Sequence, residues 1–325
     1  MFRLIEVIGK RILLGLVTLF IVSLIIFSSI SLLPGDFAQA VLGQTATEAT
    51  LKAFRESLDL DKPVITRYFR WVAGVMQGDM GNTFSGRSTG GQGIDVSRPV
   101  VEIMLPKLRN TLFLAGVTAA ISVPLALMLG FLTALFRNSI FDRTANAITL
   151  STIAMPEFFL AYMLIILLGG YLPTIANVRA ETEFLQRLLL VTLPTMTLTL
   201  VIVAAMMRMT RAAIINLLAS PYIEMARLSG ASQAEIIFRH ALPNAWAPIA
   251  TVIAFNMAWL VVGVVVVEVV FTYDGIGKLM VDSVGSRDIP VVQACALVFA
   301  ATYISMNLLA DIVGIVTNPR LLHPR

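Results

Sequence analysis

Six long apolar blocks restrict this chain more than any other feature: about Ile12–Leu33, Thr111–Phe136, Ile148–Leu172, Leu188–Met207, Ala245–Phe271 and Val291–Thr317. A helix of roughly 20 apolar residues crosses a hydrocarbon core, where only helices and closed barrels satisfy every backbone group. Each block is long enough, so the expected fold is an all-α membrane protein with six transmembrane helices. The composition, 57% hydrophobic and 14% charged, agrees with a chain that dissolves in lipid.

The net charge of +4 raises the question of nucleic acid, but the basic residues sit at the ends of apolar blocks rather than in one patch. They read as topogenic charge, and no nucleic-acid partner is expected. One side carries Arg3, Lys10, Arg11, Arg137, Arg143, Arg208, Arg211, Arg227, Arg239, Arg320 and Arg325, while the short loops of the other carry Arg179, Arg187, Lys278 and Arg287. That imbalance puts both termini in the cytoplasm.

Ala38-Gln39-Ala40 resembles a processing site, which makes a cleaved signal peptide the rival reading of the start. The first apolar run exceeds the roughly 7–15 residues of a signal h-region, so an uncleaved anchor is expected. Residues 1–33 then form the tail and first span, 34–110 a small external subdomain, 111–317 a five-helix core, and 318–325 a cytoplasmic tail. In the external segment, Thr47–Leu58 reads as a short helix. Val64–Met76 reads as an amphipathic helix whose Tyr68, Phe69 and Trp71 suit an interface or a structural contact.

Between the fourth and fifth blocks stands a polar hairpin, Ser220 to Pro243. Ser220 is placed to cap a helix with Pro221 at its first position, and Gly230 can take the left-handed conformation that ends it. Ser232 and Glu235 have capping-box spacing. Ala234, Ile237, Phe238 and Ala241 fall on one face of a second helix, and Leu242-Pro243 closes it. Two short capped helices offered to the cytoplasm make a docking surface.

Three acids interrupt the apolar blocks: Glu157, after Met155-Pro156, where the proline should kink the third span, and Glu268 and Asp311. Each costs about 2.5–3.5 kcal/mol at a helix centre. Glu157 can line a substrate passage, with a paired structural acid as the plainer reading. For Glu268 and Asp311 the plainer reading is pairing with another helix. Together the three sustain an alternative, an ion-coupled carrier. No Gly-x-x-x-x-Gly-Lys-Ser/Thr loop occurs, and Gly277-Lys278 is followed by Leu279, so the chain has no recognisable ATP site of its own. His240 and His323 stand far apart, and Cys295 is the single cysteine, which supports no metal site, no cofactor and no histidine-based catalysis.

The hairpin resembles the cytoplasmic loop of ABC-importer permease subunits: Glu-Ala-Ala, three residues, Gly, nine residues, Ile, one residue, Leu-Pro. Glu224, Ala226, Gly230, Leu242 and Pro243 match, Met225 replaces the second alanine, and His240 stands where isoleucine is common. Histidine there is usual in the peptide- and nickel-importer branch, in the subunit type with a long loop after its first span. Other pieces of that branch are Leu33-Pro34-Gly35-Asp36, Leu60-Asp61-Lys62-Pro63, Gly78-Asp79-Met80-Gly81, Arg98-Pro99-Val100, Asn110-Thr111-Leu112, Thr210-Arg211, Arg287-Asp288 and Asn307-Leu308 with Asp311. Asp274-Gly275 departs from a common Pro-Gly, and Asn318-Pro319-Arg320 from Asp-Pro-Arg.

The resemblance implies a permease subunit in the bacterial inner membrane, of type I importer architecture. It would pair with a second, different permease subunit, two ATPases that bind the ATP and Mg, and an external solute-binding protein. The implied cargo is a di- or oligopeptide. Glu224, Ala226, Gly230, His240, Leu242 and Pro243 would then couple the permease to an ATPase.

Overall fold

The computed structural model describes residues 2–31, 48, 51–52, 62–84, 97–179, 181–232, 235–236, 239 and 242–317. Along these the elements are α1 (Phe2–Ser31), α2 (Val64–Met76), α3 (Val100–Leu135), α4 (Ile140–Ala154), α5 (Glu157–Leu168), α6 (Phe184–Leu190), α7 (Thr192–Leu218), α8 (Pro221–Leu228), α9 (Leu242–Val270), α10 (Ile276–Gly285) and α11 (Ile289–Thr317). The expected helix over Thr47–Leu58 falls almost wholly outside the described residues.

Among the described residues five helical stretches are long and apolar enough to cross a membrane: Glu6–Ser29, Val100–Leu135, Thr192–Leu218, Asn244–Val270 and Ile289–Ile315. The block expected as one span over Ile148–Leu172 is instead a broken pair, α4 and α5, bent by 108°. Counted as one span, the pair makes six. The cause is local. Pro156 has no N–H to continue the ladder, and it forces Met155 out of the helical region to φ −92°, ψ 134°. Helix resumes at Glu157 with Pro156 extended before it.

Two compact units divide the chain, the first comprising Met1–Leu16, Leu112–Tyr273 and Thr302–Arg325. Its core is held by α7, whose Leu193, Leu198, Ile202 and Met206 are fully buried and pack with Leu114, Ala161, Val264, Val267 and Phe271. An unusually close approach fixes α3 on α7: a Cβ at Gly130 would stand 2.7 Å from Thr210 Cβ and 2.9 Å from the Met207 carbonyl oxygen. Small residues permit such contacts where lipid supplies no hydrophobic drive between helices.

The second unit comprises Val17–Thr111 and Asp274–Ala301. Val100, Met104, Ile276, Val291, Ala294 and Cys295 form its core. Tyr68 of α2 is buried, its hydroxyl 2.8 Å from Ser23 Oγ and its ring edge-on to Phe20 and Phe27 of α1, while Phe69 faces outward. Of the two roles open to the α2 aromatics, Tyr68 therefore takes the structural one. Asp288, buried, accepts from the Thr83 hydroxyl and, at 3.1 Å, from the Phe84 N–H. Lys107 pairs with Asp274, whose carbonyl accepts from Asn110 Nδ2 at 2.8 Å.

Candidate functional site

The hairpin after α7 is built by two terminal motifs and a small core. Gly230 has φ +82°, its N–H donates to the Arg227 carbonyl (3.0 Å), and the Ala231 N–H donates to the Ala226 carbonyl (3.1 Å). These are the paired bonds of a Schellman end, which needs a left-handed residue at this position. Ile223 and Ile236 are buried against Leu217, Leu218, Ala226 and Ala231. Ala226 thus faces the hairpin's own core, while Glu224, in the first turn of α8, is exposed beside Tyr222, Met225 and Leu228. An outward apolar face carrying an acid at a helix N-terminus is suited to a partner groove.

The two expected caps behave differently. Ser232 Oγ accepts from the Glu235 N–H at 3.2 Å, and Glu235 also pairs with Arg239 at 3.2 Å. Ser220 occupies the cap position of α8, but its hydroxyl donates back to the Leu217 carbonyl and caps nothing. The Leu217 carbonyl at the end of α7, which also accepts from the Ser220 N–H at 3.0 Å, competes with the orphan N–H groups of α8 for the same hydroxyl, and it wins. At Leu242-Pro243 the next helix, α9, starts, with Pro243 in its first turn, where a missing N–H costs little. His240, with Ala234, Ile237, Phe238 and Ala241, lies outside the described residues.

The three acids part company. Asp311 of α11 forms an ion pair with Arg11 of α1 (2.7 Å). Glu268 is fully buried in α9, and its backbone carbonyl accepts from the Tyr273 N–H at 2.8 Å. Glu157 stands among the lining residues of a pocket of about 290 Å³, with Phe158, Trp259, Val262, Gly263 and Val266. Its Oε2 is buried with no hydrogen-bond partner among the described residues. The dipole of α5 returns about 0.3–1 kcal/mol to an acid at its start, against about 2.5–3.5 kcal/mol for a charge deep in the bilayer. A counter-charge in the pocket would make up the difference. The ion-coupled alternative is not favoured, because it needs the three acids to act together and one of them is engaged in a helix pair.

Sequence reasoning missed the strongest ionic contact near the site. Arg211, on α7 ahead of the hairpin, binds Asp142 of α4. Ser139 caps α4 by accepting from the Asp142 N–H at 3.2 Å, and Asp142 accepts in return from the Asn138 N–H at 2.9 Å. The Ser139-x-x-Asp142 spacing was the available signal for a helix start. Nothing in the sequence spacing indicated its partner.

Comparison with known proteins agrees with this architecture. Residues 126–323 match the family described as binding-protein-dependent transport system inner membrane component, and residues 1–115 match the N-terminal region of such membrane components. The glutathione transport system permease protein GsiC of Escherichia coli (strain K12) is 33% identical over 313 residues, 95% of this chain and 96% of the relative. The same figures hold for the protein of that description in Shigella dysenteriae serotype 1. Among solved structures, an inward-facing MetNI methionine ABC transporter aligns with TM-score 0.56 and 18% identity, over 69% of this chain and 100% of that chain. At that identity the likeness concerns the fold. The hairpin spacing, the apolar helices and the full-length similarity converge: this chain belongs to the inner-membrane permease subunits of binding-protein-dependent ABC importers, in the peptide- and nickel-importer family.

Proposed function

We propose that this chain forms half of the translocation pathway of an ATP-driven importer of di- or oligopeptides, opposite a second, different permease subunit. An external solute-binding protein delivers the cargo, and two partner ATPases hold the ATP and Mg and supply the energy. Both termini and the hairpin face the cytoplasm, as the distribution of Lys and Arg favours, and residues 34–110 stand outside. The peptide class is supported by similarity to permeases named for glutathione transport. Glu157 lines the path.

The observation that carries the coupling role is the Schellman end at Gly230, which holds α8 as a rigid body with Tyr222, Met225 and Leu228 turned outward. A rigid helix seated in an ATPase groove passes closure of the ATPases to the spans as rocking between inward- and outward-open states. His240, Leu242 and Pro243 belong to the same coupling segment, with Glu224 as its polar contact.

Gly230→Val tests this. A left-handed residue with a branched side chain costs about 1–2 kcal/mol, roughly a tenfold change in an equilibrium. The variant should insert in the membrane as the parent does, while ATPase recovered with the purified permease falls by about that factor and peptide uptake is lost. Unchanged ATPase recovery and uptake would refute the docking role.

A further inference from the structure

The pocket beside the break between α4 and α5 combines features that select one kind of chemical group. Its lining carries a single charge, the Glu157 carboxylate, and is otherwise apolar or aromatic: Phe158, Trp259, Val262, Gly263 and Val266. Glu157 Oε2 is shielded from solvent and receives no hydrogen bond among the described residues. The cap position of α5 is held by Pro156, which offers no side-chain cap. An acid at a helix N-terminus is often only a partner for the dipole, but that role is met at an exposed position. It does not account for a buried oxygen without a donor beside a pocket whose other lining is apolar or aromatic.

The space in front of this carboxylate depends on residue 263. A Cβ there would lie 3.3 Å from Glu157 Oε1 and 3.2 and 3.3 Å from two ring carbons of Trp259. Glycine therefore leaves room between an acid and an aromatic face for a compact group. The volume of about 290 Å³ lies at the lower limit of ligand pockets, roughly 300–1,000 Å³. It accommodates one end of a substrate rather than the whole.

We propose that Glu157 receives the free α-ammonium group of the transported peptide, in the space that Gly263 leaves open against the ring of Trp259. A primary ammonium supplies three donors and a full positive charge. It forms a charge-assisted hydrogen bond with the carboxylate, whose Oε1 borders the Gly263 space, and gains from the neighbouring indole by cation–π attraction. The inference rests on the peptide reading and narrows it: the pathway recognises the amino end of the cargo, independently of side chains.

The experiment has two arms. In the first, the complete importer in proteoliposomes, with its binding protein and ATPases, is assayed for ATP-dependent uptake of unlabelled di- to pentapeptides of alanine. Uptake by the parent supports the peptide reading, whereas its absence for every peptide overturns that reading and this inference together. In the second, the permease–ATPase complex without binding protein is titrated with trialanine and with N-acetyl-trialanine by isothermal calorimetry. Trialanine should bind about tenfold more tightly than its acetylated form, and Glu157→Gln should erase the difference. Gly263→Ala, which keeps the carboxylate but crowds it, should weaken trialanine in the same way. Equal binding of both peptides to the parent overturns the ammonium inference while leaving peptide transport standing. So does a Glu157→Gln complex that keeps the preference. Loss of the second permease subunit from the Glu157→Gln complex also overturns it, because the pocket would then hold a cation of that subunit.

Discussion

The guanidinium of Arg211 on α7 grips the carboxylate of Asp142 on α4 through two hydrogen bonds of 2.8 Å, Nε to Oδ1 and Nη2 to Oδ2. Asp142 is 3% exposed, and it accepts further from the Asn138 N–H and Asn146 Nδ2. The pair therefore ties the start of the broken span to the helix that carries the hairpin. Removing one partner of such a pair leaves an uncompensated buried charge, which costs about 3–5 kcal/mol. Arg211→Ala should lower the denaturation midpoint in detergent by that much stability. Arg211→Lys, which keeps the charge but not the planar fork, should fall between the two. A loss below about 1 kcal/mol in Arg211→Ala would show that the pair contributes little.

Ser220 and Ser232 occupy equivalent cap positions but should respond differently to the same change. Ser232→Ala removes an acceptor for the Glu235 N–H and should cost about 1 kcal/mol, read as faster amide exchange at Glu235 and Ile236. Ser220→Ala removes a hydroxyl bound to the Leu217 carbonyl and should alter exchange in α8 by less than about 0.5 kcal/mol. Equal effects would contradict the assignment of the two hydroxyls.

Gly130 is where α3 and α7 come closest. Gly130→Ala should destabilise the chain by about 1–3 kcal/mol through overpacking, because the new methyl meets Thr210 Cβ at 2.7 Å and the Met207 carbonyl oxygen at 2.9 Å. Thr210→Gly in the same chain should recover part of the loss, since the Thr210 side chain can be removed and the carbonyl cannot. Thermal unfolding followed by tryptophan fluorescence measures both, and a Gly130→Ala variant as stable as the parent would mean the helices part freely.

Thr272 has φ +53° just past α9. Its N–H donates to the Val269 carbonyl (3.3 Å), and the Tyr273 N–H donates to the Glu268 carbonyl (2.8 Å), so a branched residue occupies the position where such helix ends favour glycine. Thr272→Gly should raise the unfolding midpoint by about 1 kcal/mol of stability, the left-handed penalty less the added freedom of the unfolded glycine. A fall in the midpoint would show that the Thr272 side chain makes a contact worth more than the strain.

Several features of this chain were determined by the sequence alone because the forces that decide them act within one turn of backbone. Apolar length determined the number of candidate spans, Pro156 determined that the third would kink, Gly230 determined the left-handed end of α8, and Ser232 with Glu235 determined the second cap. Ser220 shows the limit of such reasoning: the right residue stood at the right place, and a neighbouring carbonyl took its hydroxyl. The angle of the break, 108°, was not legible either, since proline removes one bond without setting a direction.

Only the tertiary structure decided which polar groups meet. Asp142 and Arg211 are 69 residues apart, and the Thr83 hydroxyl reaches Asp288 across 205. Three acids that looked alike in the sequence came to three ends: Asp311 in an ion pair, Glu268 in the core, and Glu157 at a pocket with an unmatched oxygen. A charge has no periodicity, and its cost depends on what packs around it. The placement of these groups is therefore a property of helix against helix, whereas spans and caps are properties of a single segment.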